Sequence, residues 1–255
     1  MTGAFRVLSY NVRHAALDAD EDAWERRRRD GVAGTIRVRR PDVVAVQEAG
    51  PDQLASLADR LPGYAFAGAG DRTGEYNPVG YLTDRWTLAD CEVRWLAEAP
   101  DEAVAGWDAA FPRVATVARL RRTDGTAFTL FDVHFDHRGE RAGVESARLV
   151  REWAADAAGP VVVAGDLNST PAGEPYQILT GPDSRLRDAR AVARHGHHGP
   201  SVSFTGYEPP PTGRRLDYLF VTDEFDVIQH AACPDLDRAG RFPSDHLPLL
   251  ADLRL

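Results

Sequence analysis

Residues 161–171 read VVVAGDLNSTP, and residues 243–249 read PSDHLPL. In the first stretch an apolar, β-branched run stops at Gly-Asp-Leu-Asn, the pattern of a strand covered on both faces that ends in a polar loop. The second stretch reverses the order: Asp245 and His246 come first, and the run LPLLADL follows. Polar groups at the ends of buried strands sit on loops held by a rigid scaffold, where catalytic side chains concentrate.

The same punctuation recurs along the chain. Asn11 follows VLSY, Glu48 follows VVAVQ, and His134 and Asp136 end FTLFDVHFD. A single residue of this kind is an ordinary turn residue, whereas five placements together are hard to explain as turns. Strands are expected at 5–10, 43–47, 79–82, 91–96, 114–120, 127–135, 161–164, 216–221 and 249–253, with Asp124-Gly125 turning the chain between two of them. Helices are expected at 22–39 behind an Asp22 cap, at 51–61, and at 140–158, where Val144, Ala147, Val150, Arg151 and Ala154 share one side. Mixed strands with helices at intervals, and no strict βαβ alternation, point to an α+β fold: two sheets face to face with helices outside, in one domain over 1–255. The stretch 194–214, rich in Gly, Pro and His, reads as a long surface loop.

Composition narrows the partners. The 255 residues carry 39 acidic and 30 basic side chains, a formal net charge of -9, and every one of the 30 basic residues is Arg. A surface of that sign does not grip nucleic acid as a whole, since such affinity comes from neutralising phosphates. A local phosphate site remains open, and its basic ligand must be an arginine. No apolar run approaches the ~18 residues of a membrane span, and MTGAFRVLSY lacks the basic-then-apolar layout of a secretory leader. A cytoplasmic chain with no membrane partner, monomeric, is therefore expected. Cys91 and Cys233 are too few and too far apart for a zinc or disulfide framework.

The strand-end residues suit phosphoester hydrolysis. Glu48 is a hard oxygen ligand for Mg²⁺ or Mn²⁺, and Mg²⁺ needs only one or two protein carboxylates. Asp166 and Asn168, two apart on one loop, can point at the same space, the carboxylate toward water and the amide toward water or a phosphate oxygen. His246 can act as base or as charged donor, its tautomer held by a neighbouring carboxylate.

Taken in order, LSYNVRH, PDVVAVQEA, GEYNPVGYL, GWDAAFPRVATVARL, VHFDH, VVVAGDLNSTP, RRLDYLF and PSDHLPL resemble the endonuclease/exonuclease/phosphatase superfamily of metal-dependent phosphoesterases along nearly the whole chain. The resemblance implies a four-layer αββα sandwich. It implies that Glu48 binds the divalent metal, with Asn11 in its outer shell or at a neighbouring acid, and that Asp245 is a second metal ligand. Asp166 would activate water, Asn168 would position water or the scissile phosphate, and His246, paired with Asp217, would polarise the phosphate or share the proton work. His134 matches a second active-site histidine that donates to a phosphate oxygen and in some members pairs with an acid at the position of Glu75. Arg113 fits a phosphate contact, and Asp136 a supporting one. The Trp-rich block of the AP endonucleases and the signature blocks of the inositol polyphosphate phosphatases are absent. The motifs are closest to bacterial phosphodiesterase-like members, and more distantly similar to nocturnin and the mRNA deadenylases.

Other residues invite plainer readings. The run Arg26–Arg29 circles a helix and is expected to be mostly solvated, with Arg27 in a structural ion pair. Asp18, Asp20 and Asp22 imitate a calcium loop, but Ala23 and Arg29 stand where Gly and Glu are required. His195, His197 and His198 belong to a solvent loop, His137 lies outside the site, and Tyr76, Tyr81 and Tyr176 pack. The expected function is hydrolysis of a phosphodiester or phosphomonoester in a small phosphorylated metabolite or nucleotide; the alternatives are a DNA or RNA nuclease and an inactive binding protein of the same fold.

Overall fold

A strand that is apolar at every position must be covered on two sides, and that requirement organises the molecule. A computed structural model describes residues 3–68 and 76–255. The chain runs β1 (Phe5–Asn11), a π-helical turn (Trp24–Arg28) into α1 (Arg29–Arg39), β2 (Val43–Gln47), α2 (Pro51–Arg60), β3 (Tyr64–Ala67), β4 (Val79–Leu82), β5 (Trp86–Trp95), β6 (Val114–Arg122), β7 (Ala127–His134) and α3 (Glu140–Asp156). It continues through β8 (Val161–Asp166), α4 (Glu174–Thr180), β9 (Leu186–Asp188), α5 (Ala189–Val192), β10 (His197–His198), β11 (Asp217–Thr222), β12 (Asp226–Ala232) and β13 (Leu249–Arg254). Among the described residues these strands form a seven-stranded sheet, β10-β12-β13-β1-β2-β4-β3, and a six-stranded sheet, β5-β6-β7-β8-β11-β9. Parallel pairs, β1 with β2 and β7 with β8, lie inside the two sheets.

Alternation along each strand assigns the layers. Phe5, Val7, Val43 and Ala45 of one sheet join Leu120, Phe128, Leu130, Val162, Ala164, Leu219 and Val221 of the other in a single core between them. The opposite faces carry Leu8, Tyr10, Val44 and Val46 against Val32, Ala33 and Ile36 of α1 and Leu57 of α2. On the other side Phe131, Val133, Val163 and Phe220 meet Ala147, Val150 and Ala154 of α3 and Leu179 of α4. The result is the expected αββα sandwich.

Following the inner parity to one end of the sandwich changes its chemistry. After Phe5 and Val7 come Ser9 and Asn11; after Val43 and Ala45, Gln47; after Phe128 and Leu130, Asp132 and His134; after Val162 and Ala164, Asp166. All six polar side chains are buried. Register brings them together: His134 stands opposite Asp166, and Asp166 opposite Asp217. Gly165 permits this approach, because a Cβ there would lie 1.9 Å from the Val133 carbonyl oxygen, and its φ of +143° is unfavourable for any side chain.

Several expectations need correction. β3, α4, β9 and β12 are short or polar enough to escape a hydrophobic pattern, and β5 begins at Trp86 rather than 91. The first helix starts with the wide turn at Trp24, not at Asp22. The stretch 194–214 is only partly a surface loop: β10 pairs with β12, Ser203 is fully buried, and Phe204 bridges to both Arg214 and His246. No helix among the described residues is long and apolar enough to cross a membrane.

Replacing Gly165 by Ala should destabilise the protein by about 2–4 kcal/mol or prevent folding, through clash and backbone strain together. Urea unfolding checks this; a loss below about 0.5 kcal/mol contradicts the close β7–β8 approach.

Candidate active site

Strand register forces two carboxylates together. Asp166 ends β8 and Asp217 begins β11, directly opposite each other and each 1% exposed. Burial, reinforced by the charge of Asp217, pushes the Asp166 carboxyl above the usual carboxylate range. His246, in the segment before β13, answers both: its Nδ1 is 2.8 Å from Asp217 Oδ2 and its Nε2 is 3.7 Å from Asp166 Oδ2. Burial alone would drive this imidazole neutral, but the two carboxylates prevail and raise its pKa to about 10. The ring directs Nδ1 at Asp217 and Nε2 at Asp166. Ser203 Oγ accepts the backbone N–H of Asp217 at 3.0 Å, and the Phe204 ring lies 5.0 Å from the imidazole.

Asn11 joins this group to Glu48. Its Nδ2 donates to Glu48 Oε1 at 3.0 Å and to Asp166 Oδ2 at 3.1 Å, so the two carboxylates face one space. Burial opposes ionisation of Glu48, yet the neighbouring histidines, the Asn11 amide and the His14 N–H outweigh it and hold the carboxyl below the usual carboxylate range. Glu48 has φ +64° and Asn168 φ +48°. A non-glycine residue in this region costs roughly 1–3 kcal/mol and persists where surroundings over-determine it. Here the Asp166 Oδ1 accepts the Asn168 N–H at 2.8 Å, and Asn168 Nδ2 donates to the Phe135 carbonyl at 2.9 Å.

His134 Nε2 is 3.8 Å from both Glu48 Oε1 and Asp166 Oδ2. Its Nδ1 is 2.9 Å from Arg113 Nη1, and a guanidinium can only donate, so Nδ1 accepts and the ring proton is on Nε2. That N–H and Asn168 Nδ2 stand 3.2 Å apart, two donors converging beside Asp166 where an anionic oxygen can be held. Arg113, expected at the phosphate, is only 8% exposed; its guanidinium is directed at His134, His137 and Asp136. Asp136 accepts the N–H groups of Arg138, Gly139 and Phe111, and so fixes the entry to α3 and the Arg113 segment. Asp245 turns toward Arg13, whose Nη1 is 2.7 Å from its Oδ2. Glu75 lies outside the described residues.

The donor set fits a hard divalent ion. Glu48 is the more accessible carboxylate, at 19%, and Asp217 Oδ1 is buried without a hydrogen-bond partner. Asp166, Asp217 and His246 offer ligand atoms within 4.8 Å of one another. A hard ion prefers oxygen donors, which here are the carboxylates rather than the imidazole, and Glu48 is the accessible one.

The model of the endonuclease/exonuclease/phosphatase family matches residues 8–246. The chain belongs to this family. Among solved structures, a mannosyl-6-phosphatase of Bacteroides thetaiotaomicron is 29% identical, with a TM-score of 0.90 over 98% of this chain and 100% of that one. A Bacteroides vulgatus endonuclease/exonuclease/phosphatase protein is 31% identical, with a TM-score of 0.87 over 100% of both chains. The human nocturnin catalytic domain shares the fold at 21% identity, with a TM-score of 0.71 over 98% and 94%. No curated protein matches the sequence. The fold is that of family phosphoesterases.

Sequence reasoning missed the supports of the family site. Arg28 was expected in solvent with its neighbours; it is fully buried, paired with Asp18 at 2.7 Å and donating to the Val12 and Asp22 carbonyls. Asp18 and Asp22 are therefore arginine partners, and Arg27 holds Asp22 and Asp237 in the structural pairing expected of it. Ser203, inside an apparent loop, gave no signal. His197 also departs from a solvent loop, with Nδ1 2.9 Å from the Nδ1 of buried His230.

The raised His246 pKa has a signed consequence for the metal-free protein. Its pairing with Asp217 stabilises fully below about pH 6.5, where the unfolded imidazole is also protonated, and is lost as pH rises toward about 10. Urea unfolding in chelator should show stability declining over that window. Asp217→Asn should flatten the decline; an unchanged slope contradicts the assignment.

Proposed function

We propose that the chain is a divalent-metal-dependent phosphoester hydrolase acting on a small phosphorylated substrate, with sugar phosphates as the favoured class. The observation that carries the chemistry is the geometry of the Asp217–His246–Asp166 group, with His246 Nδ1 2.8 Å from Asp217 Oδ2 and Nε2 3.7 Å from Asp166 Oδ2. His246 already holds its proton, which leaves Asp166, made more basic by burial and by Asp217, as the group that orients and deprotonates the attacking water. This assigns the proton to Asp166 and the donor role to His246.

The remaining residues then have consistent tasks. His246 Nε2–H, His134 Nε2–H and Asn168 Nδ2 donate to the phosphoryl oxygens, whose charge is spread as the leaving oxygen departs. Arg113 and Asp136 act through His134 by fixing its tautomer and its place. Glu48, oriented by the Asn11 amide, would hold Mg²⁺ or Mn²⁺. When bound, the ion supplies Lewis-acid polarisation of a phosphoryl oxygen. The strain at Glu48 and Asn168 fits residues placed for chemistry rather than for stability. The substrate class rests on the net charge of -9, which disfavours a long polyanion, and on the full-length similarity to the mannosyl-6-phosphatase.

Hydrolysis should be measured with Mg²⁺ or chelator on hexose phosphates, p-nitrophenyl phosphate, bis-p-nitrophenyl phosphate and an oligonucleotide. Metal-dependent turnover of the small esters is expected, with Asp166→Asn and His246→Ala each lowering kcat on the order of 10²–10⁴-fold. Salt-sensitive cleavage of the oligonucleotide alone contradicts the substrate class. Intact hydrolysis in both variants contradicts the roles.

A further inference from the structure

Asp245 is a buried carboxylate, 6% exposed, that the reaction above leaves unused although it adjoins His246. Its Oδ2 is engaged by Arg13 Nη1 at 2.7 Å, and its Oδ1 is 3.4 Å from Ser244 Oγ. Its own carbonyl accepts the Thr205 N–H at 2.8 Å and the Gly206 N–H at 3.1 Å, so this side of the pair is fixed by backbone.

Arg13 is equally constrained. Its φ is +56°, a conformation that side-chain-bearing residues rarely adopt. The loop enforces it: the Arg13 N–H donates to Asn11 Oδ1 at 2.9 Å, and its carbonyl accepts from Arg28 Nη2 at 3.1 Å and Gln53 Nε2 at 3.0 Å. Its Nη2 donates to the Leu17 carbonyl at 3.0 Å, while Nε lies 3.6 Å from Asp18 Oδ1. Buried Arg28, which anchors the same loop, is itself paired with Asp18. The guanidinium is therefore delivered to Asp245 by a strained backbone held from several directions, unlike a surface arginine that happens to touch an acid.

A divalent ion and a guanidinium compete for the same carboxylate oxygens and repel each other at close range. We propose that Arg13 is the resident counter-cation of Asp245, so that the site takes one divalent ion, at Glu48, and excludes a second from Asp245. The proposal rests on the metal-dependent reading above and adds its stoichiometry. It also reassigns Asp245 from metal ligand to partner of a built-in cation.

The test counts Mn²⁺ bound to the full chain from the electron paramagnetic resonance signal of free Mn²⁺. Wild type and Arg13→Lys should bind one ion, Arg13→Met two, and Arg13→Met/Asp245→Asn one. Asp245→Asn alone should leave the affinity for the first ion within about threefold. Two ions in wild type, one in folded Arg13→Met, or a tenfold weaker first ion in Asp245→Asn overturns the proposal. Should Arg13→Met fail to fold, Asp245→Asn decides alone. Absence of any bound ion in wild type would defeat the metal-dependent reading along with this one, whereas a tenfold weaker single ion in Asp245→Asn defeats only this one.

Discussion

Two carboxylates on adjacent strands, facing each other inside the protein, are a constraint that the rest of the site must satisfy. Asp166 and Asp217 are paired by the antiparallel register of β8 and β11, and alternation turns both inward. Like charges directly opposite on a sheet are destabilising, and burial sharpens the penalty. His246 resolves it by placing its ring between them, with Nδ1 2.8 Å from Asp217 Oδ2 and Nε2 3.7 Å from Asp166 Oδ2. The segments 203–204 and 243–246 are folded around that requirement: Ser203 holds the backbone of Asp217, and Phe204 covers the imidazole.

On the other side of Asp166 the chain meets a second constraint by straining its backbone. Glu48 and Arg13 sit at positive φ within the loops that follow β2 and β1, and Asn168 does so after β8. Each belongs to a network that fixes it: Glu48 to Asn11 and His14, Arg13 to Asp245, Asn168 to Asp166 and Phe135. Because β1 and β2 run parallel, as do β7 and β8, the strand ends that carry these groups emerge at the same end of the sandwich. The interior supplies the rigidity, and the strand ends supply positions that would be too strained or too charged elsewhere.

The parts of this arrangement that depend on burial alone were legible in the sequence. Strands packed on both faces are continuous apolar runs, so 43–47, 79–82 and 161–164 could be placed, and polar residues at their ends marked Glu48, Asp166 and Asn168. What depends on partners distant in the chain was not legible. Arg28 reads as solvent-exposed because its neighbours are charged, yet Asp18 and the carbonyl of Pro243, 215 residues away, enclose it. Arg113 reads in the sequence as a phosphate contact, and only the structure shows its guanidinium against His134 Nδ1. Asp245 likewise has the residue type of a metal ligand, and its guanidinium partner comes from the opposite end of the chain. β12, DVIQHAA, pairs β13 with a register shift and mixed burial, which leaves no clean alternation to read.

The claim on which the account turns is that His246 is a buried cation at neutral pH, which leaves proton abstraction to Asp166. Ring ¹⁵N chemical shifts of His246 in the metal-free protein report it directly. Both nitrogens should remain protonated from pH 6 through pH 8. A neutral ring at pH 7, with one protonated and one bare nitrogen, would contradict the account and make His246 the base.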